Sequence, residues 1–277
     1  MSIGNWCYLT LMTLAILSLF IAYRNHRTSF IFLFFFAGSG ITLFFDYIIY
    51  VWGNAYLYQP DFIKGRYDSY LGAIINSYIL PSFAILYIVL RGKWIWCIVA
   101  AAFFSGVELL FEHLGVFHKN WWRIWYTFII LIPYFYVMKI WWNYLTNKRR
   151  MWVLFGTTLA IFYSLYIQLT IILYAVLKLR TYHVDWIEHF NRDSSSMNSL
   201  IAITFGSLLA YISTFKVPRV WHFLLLFGYL AYDLLLKYLD VVRTDHIVLD
   251  TVLSFMTFLL PMIFLKYSVR RLEKNFI

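Results

Sequence analysis

The chain has 277 residues, of which 62% are hydrophobic, 22% aromatic and 13% charged, and it carries a formal charge of +10. A soluble domain holds about 25% charged residues, so this composition excludes a water-soluble fold and points to a polytopic membrane protein. Apolar runs of about 20 residues recur along the chain, and their continuity excludes a barrel of alternating strands.

The expected fold class is therefore all-α: a polytopic transmembrane helix bundle of about nine spans. They fall at 5–23, 29–52, 69–90, 94–114, 121–144, 152–177, 195–215, 219–240 and 247–268. The first run, Trp6 to Tyr23, has no basic segment before it and no small-residue cleavage site after it, so it reads as a retained helix. Cys7 and Cys97 lie inside apolar runs and read as core or lipid-facing residues, with neither a disulfide nor a metal implied.

The basic residues fall at alternate loops and the C-terminal tail: Arg24, Arg27, Arg91, Lys93, Lys148, Arg149, Arg150, Lys216, Arg219, Lys266, Arg270, Arg271 and Lys274. By the positive-inside rule those ends are cytoplasmic, which puts the N-terminus outside and the C-terminus inside. The basic excess is then topological, with anionic lipid headgroups and no nucleic acid as its partner. All acidic residues except Glu273 map to outer loops or outer helix halves. Acidic residues contribute little to topology, so their segregation has another cause.

Sliding the sequence by 125 positions brings Asp68-Ser69 onto Asp193-Ser194, Arg91 onto Lys216, Trp96 onto Trp221 and Glu108-Leu-Leu onto Asp233-Leu-Leu. After a slip of three residues, Leu-Ile-Pro133 meets Leu-Leu-Pro261. The expected organisation is a leading helix at 1–28 and two four-helix repeats at 29–148 and 149–277. An even number of helices makes the repeats parallel, related by an axis along the membrane normal.

Charges within spans are expensive and face the bundle interior, which makes them candidate functional groups. Glu108 and Glu112 lie one helical turn apart on one face near the outer end of span 4, with His113 beside them. Such a pair serves as a proton donor, a cation site or a hydrogen-bonded anchor. In the matching span Asp233 and Lys237 pair acid with base on one face. Asp46 stands alone in span 2, and Asn76 and Gln168 are polar groups that tie helices together or line a site. Trp121 and Trp122, with Trp125 and Tyr126, open span 5 as an interfacial belt or the wall of a pocket for a cation or a flat apolar ligand. His113 and His118 with Glu112 lack metal-ligand spacing, so no metal and no cofactor are expected. The two longest outer connections, 53–68 and 178–194, each end at an Asp-Ser whose acid, Asp68 or Asp193, reads as a helix cap at the rim of an outer cavity. No phosphate-binding loop or nucleophile elbow appears.

The order of Asp46, Tyr67-Asp68, Glu108, Trp121-Trp122 and Trp125-Tyr126 resembles an uncharacterised family of small membrane proteins from spore-forming Gram-positive bacteria. The resemblance covers residues 29 to 145 best and implies a bacterial cytoplasmic membrane location and a sporulation context, without a mechanism. Residues 46 to 65 are also similar in rhythm to the membrane-embedded lycopene cyclase domain, although that family's Pro-x-Glu-Glu motif does not follow.

Three functions stay open at this stage. The first is a non-enzymatic bundle whose outward acidic and aromatic cavity binds or passes a small cation or polar solute, or docks a membrane protein partner. The second is an intramembrane enzyme using Glu108 as general acid on an isoprenoid or lipid, with Glu112 or Asp46 steadying the developing cation. The third is a structural subunit of an envelope complex, hinted at by the small-residue stretch "AGSG" at 37–40.

Overall fold

Ser2 accepts the backbone N–H of Asn5 while the Asn5 side chain accepts that of Ser2, a reciprocal cap that starts the first helix. The computed structural model describes residues 2–63, 67–148, 150–184 and 190–274, the side chains of 190, 191, 193, 273 and 274 excepted. Among the described residues nine helices are long and apolar enough to cross a membrane. The chain divides into two compact units, Met1–Lys148 and Arg149–Ile277.

Unit 1 runs α1 (Ile3–His26), α2 (Phe30–Asp46), a π-helical turn (Tyr47–Trp52), β1 (Tyr56–Tyr58), α3 (Asp68–Val89), α4 (Ile95–His113), β2 (Phe117–Lys119) and α5 (Ile124–Asn147). The leading helix packs along α3, which also packs on α2, while α4 pairs with α5. At one end of α2, Phe30 and Phe34 meet Trp142 of α5 edge-on at 4.8 and 5.1 Å. Small residues bring the helices close: a Cβ on Gly38 would stand 2.7 Å from both the Pro81 Cβ and the Met138 Cε. The stretch 37–40 is thus buried inside this unit and offers no free face to a partner.

Unit 2 runs α6 (Met151–Ile171), a π-helical turn (Ile172–Val176), β3 (Thr181–Tyr182), α7 (Phe190–Thr214), α8 (Val220–Tyr238), β4 (Val242–Arg243) and α9 (Ile247–Lys274). Here α6 packs on α7 and α9. Its core is aromatic, with Tyr229 stacked on Phe258 at 4.4 Å and Phe162 edge-on to Phe258 at 5.5 Å.

The sequence leads to helices only, whereas the long connections also hold short strands. β1 pairs antiparallel with β2, Tyr56 opposite Lys119, and β3 pairs with β4, Thr181 opposite Arg243. Strands of two or three residues leave no alternating pattern to read. The second and sixth spans end in π-helical turns, widened turns that often mark functional sites. The seventh helix begins at Phe190, ahead of the expected 195, and the ninth reaches Lys274. Pro133 and Pro261 stand at different depths from the starts of α5 and α9, so the slip that aligned them in sequence does not align them in their helices.

The expected cap at Asp68 is a different device. Tyr67 occupies the cap position, and Asp68 is the first residue of α3. Its carboxylate accepts the backbone N–H groups of Asp61 (2.6 Å), Phe62 (2.8 Å) and Ile63 (3.1 Å), so it folds the preceding loop back onto the helix. Asp61 sits there at φ 60, a left-handed conformation that local hydrogen bonding makes affordable for aspartate. The side chain of Asp193, and Asp185, Glu188 and His189, lie outside the described residues.

Candidate functional site

Unit 1 encloses a cavity of about 530 Å³. Its walls come from all five helices and the β1–β2 ribbon, and they are chiefly aliphatic and aromatic. Along α5 the lining extends from Thr127 to Met138, about 16 Å of helix axis at roughly 1.5 Å per residue. Phe45 on α2 and Ile129, Ile130 and Val137 on α5 line this space and are also exposed on the apolar surface. The lining therefore reaches the apolar surface along α2 and α5, which are joined by the hydroxyls of Thr42 and Tyr134 at 3.3 Å and, at one end of α2, by the aromatic contacts of Trp142.

Two carboxylates mark the polar end. Asp46 lies at the junction of α2 and its π-helical turn and is only 6% exposed. Its Oδ1 accepts the hydroxyls of Tyr56 (2.7 Å) and Tyr58 (3.3 Å), and the Asn76 side-chain amide donates to the Tyr58 oxygen at 3.1 Å. The strand geometry explains the pairing of tyrosines, since Tyr56 and Tyr58 project from one face at a spacing of two residues. Burial pushes both hydroxyls well above the usual tyrosine range, and the charge of Asp46 pushes further, so they stay protonated and donate. Burial without a partner is costly for a polar atom. Asp46 Oδ2 is in that position, buried with no hydrogen-bond partner among the described residues.

Glu108 enters the cavity from α4. Thr127 donates to its Oε2, and the Trp122 indole N–H donates to the Thr127 oxygen at 2.8 Å. Its Oε1 has no hydrogen-bond partner among the described residues and lies 4.0 Å from Lys119 Nζ. Lys119, on β2, forms its close ion pair with Glu112 instead. Between the two acids stand Tyr56 and Trp122, with ring centroids 5.5 Å apart, and Phe117, 5.3 Å from Tyr56.

The residues that sequence reasoning grouped together thus divide. Asp46, Glu108 and Trp122 line the cavity. Glu112 and His113 are exposed at the end of α4 and line none of it. Trp121 is half-exposed, its indole N–H donating to the Gly53 carbonyl. Asn76 is part of the site and Gln168 belongs to unit 2, where its amide donates to Ser164 at 2.8 Å. Sequence reasoning missed Tyr56, Tyr58, Thr127 and Lys119. A strand as short as Tyr56–Tyr58 carries no readable alternation, and Thr127 and Lys119 are single polar groups without a pattern.

Unit 2 buries charges that are fully matched. Lys237 Nζ lies 2.7 Å from Asp233 Oδ2 and 2.8 Å from Asp250 Oδ2, so the sequence-expected pair of Asp233 and Lys237 is joined by a third residue. Arg180, with no exposed side-chain surface, donates to Asp250 through Nε (2.8 Å) and Nη2 (2.7 Å), and through Nη2 to Asp233 (3.0 Å). Burial opposes its charge, but Tyr182, Asp250 and Asp233 together hold its pKa well above the ordinary arginine value. Ser254 donates to Asp233 Oδ1 at 3.0 Å and Tyr182 receives Arg180 Nη1 at 3.0 Å. Two acids and two bases therefore close on one another. No group of three or more metal-ligating side chains occurs among the described residues.

Nine apolar helices of membrane-crossing length define the class, a multi-pass membrane protein. No protein-family model matches the chain, and no curated protein or solved structure matches it either.

Proposed function

We propose that unit 1 is an intramembrane binding site for an elongated apolar molecule with a polar end, and that this polar end meets Asp46 and Glu108. The carrying observation is the pairing of an apolar cavity with two buried carboxylate oxygens, Asp46 Oδ2 and Glu108 Oε1, that have no hydrogen-bond partner among the described residues, Glu108 Oε1 having only Lys119 Nζ at 4.0 Å. Buried polar groups are ordinarily satisfied, so two orphaned oxygens on one cavity wall favour a ligand there.

The same reading places the chain in a bacterial cytoplasmic membrane, N-terminus outside, with the carboxylate end of the cavity toward the outer surface. The distribution of basic residues supports that orientation. Internal duplication is supported by the shared element order of the two units after α1. Passage of an ion is disfavoured, because away from the acids the lining is chiefly apolar, with Ile79, Leu80 and Met138, the hydroxyls of Thr42 and Tyr134 there meet each other at 3.3 Å, and Lys139 is held by the Gly92 carbonyl at 2.7 Å.

A second reading, acid catalysis by Glu108 on an isoprenoid or lipid, is favoured by a lining that reaches the apolar surface along α2 and α5. Native mass spectra of the wild type and Glu108→Gln, purified in mild detergent, test both. Binding predicts a lipid-like adduct in the wild type that is lost in the variant. Catalysis predicts different adducts in the two, substrate in the variant and product in the wild type, told apart by chromatography of the released ligand because a proton-initiated isomerisation conserves mass. Identical spectra without adduct contradict both.

A further inference from the structure

Local geometry matches the two units atom by atom around their polar clusters. After the π-helical turns, Gly53 N donates to the Ile48 carbonyl and Ala55 N to that of Ile49 (3.0 and 3.2 Å), as Leu177 N does to Ile172 and Leu179 N to Leu173 (both 3.0 Å). Between those donors Asn54 and Lys178 both take a left-handed φ, of 49 and 54. Tyr58 N donates to Ser69 Oγ as Tyr182 N donates to Ser194 Oγ. Tyr56 therefore stands where unit 2 has Arg180.

The fourth and eighth helices end alike. Leu114, Gly115 and Val116 donate to the carbonyls of Leu110, Glu112 and Phe111, as Leu239, Asp240 and Val241 donate to those of Leu235, Lys237 and Leu236. Glu108 thus corresponds to Asp233, and Glu112 to Lys237. Thr127 and Asp250 each follow the first residue of their helix, Ile124 or Ile247, by the same interval.

At these matched places unit 2 carries two acids and two bases in mutual contact. Unit 1 replaces both bases, by Tyr56 and Glu112, and one acid, by Thr127, and adds Asp46. Lys119 pairs closely with Glu112 and stands 4.0 Å from Glu108 Oε1. The cavity lies where the arginine side chain of unit 2 has its counterpart in Tyr56, and both orphaned carboxylate oxygens belong to residues that line it.

We infer that the ligand of the unit 1 cavity carries a protonated nitrogen on an apolar chain, an alkylammonium or guanidinium group that does for Glu108 what Arg180 does for Asp233, with Asp46 as the second acid of the same cavity. This rests on the binding reading above and names its ligand class. Tyr56, Phe117 and Trp122 add aromatic faces beside the acids, which favour a cation over a neutral polar group. A carboxylate or phosphate end is disfavoured by the same two acids. The apolar chain occupies the α5 wall toward Met138.

The test uses the full chain in mild detergent, with thermal unfolding followed on addition of decylamine, decanol or decanoate at equal micellar mole fraction. Saturating decylamine is expected to raise Tm by about 5 °C, decanol by clearly less, and decanoate not at all. Asp46→Asn and Glu108→Gln are expected to reduce the decylamine shift at least tenfold in midpoint concentration and to leave the decanol shift in place. Tyr56→Arg, which supplies the guanidinium internally, is expected to abolish the decylamine response. Equal shifts with amine and alcohol, unchanged by the acid variants, overturn the cationic ligand and leave the cavity a binding site. No shift with any of the three overturns the binding reading as well. Should the acid variants fail to fold, the ranking of the three probes on the wild type decides alone. Phosphatidylethanolamine retained in native mass spectra would assign the nitrogen to a bilayer lipid, and a decylamine shift on lipid-free protein would assign it to a free amine; either supports the inference.

Discussion

Unit 2 closes Arg180, Lys237, Asp233 and Asp250 on one another, whereas unit 1 buries Asp46 and Glu108 beside a cavity and leaves an oxygen of each without a hydrogen-bond partner among the described residues. Similar backbones carry both, so the difference lies in a few side chains. Arginine and lysine at the matched places make a self-sufficient cluster. Tyrosine and glutamate there leave open space and carboxylate oxygens without a hydrogen-bond partner. A matched buried cluster serves stability of the unit that holds it only while it is whole, since removing one member strands the others in a medium that solvates them poorly.

Arg180→Met should therefore have the largest effect. It leaves Asp233 and Asp250 with Lys237 alone, and unfolding in detergent should show a loss of about 3–5 kcal/mol. A loss under about 1 kcal/mol would mean that the cluster is wet in solution and that the contrast between the units is smaller than described.

Gly72→Ala comes next, in unit 1. Its new methyl would overlap the Cβ and Cγ of Tyr58, forcing β1 off α3. Overpacking of this kind costs about 1–3 kcal/mol, and thermal unfolding should register it together with weaker ligand retention. Unchanged stability would show that β1 rides loosely and does not position Tyr58. Tyr56→Phe should cost about 1.5 kcal/mol, because it removes the 2.7 Å hydrogen bond to Asp46 and keeps the ring edge-on to Trp122. A stabilising outcome would indicate that Asp46 already finds another donor. Asp240→Asn is the smallest: asparagine tolerates the left-handed φ of 56, the pair with Arg243 is exposed, and no measurable change in Tm is expected. A clear loss there would mean that surface pairing at β4 contributes to unit 2 as the buried cluster does.

The spans were legible in the sequence because a run of about 20 apolar residues has few alternatives to a crossing helix. Their ends were less so, since hydropathy does not distinguish an α-turn from the π-helical turns at Tyr47–Trp52 and Ile172–Val176. Asp46 and Glu108 announced themselves as charges inside apolar runs, and Asp233 with Lys237 as a helical pair. Arg180 did not, because its burial is set by Asp233 and Asp250, which lie far along the chain. Asp68 misled for the complementary reason: an acid opening a helix resembles a cap, and only the folded loop shows its carboxylate turned back to Asp61, Phe62 and Ile63. Thr127, one hydroxyl in an aromatic segment, becomes part of the site only when α5 lies against α4.

The most direct test of the central claim is an electron cryo-microscopy map of the protein in lipid nanodiscs, read at the two clusters. The account expects elongated non-protein density beginning at Asp46 and Glu108 and following α5 toward Met138, with the Arg180 cluster closed and free of extra density. A unit 1 cavity collapsed by its own side chains, with Asp46 and Glu108 satisfied by protein donors, would contradict it.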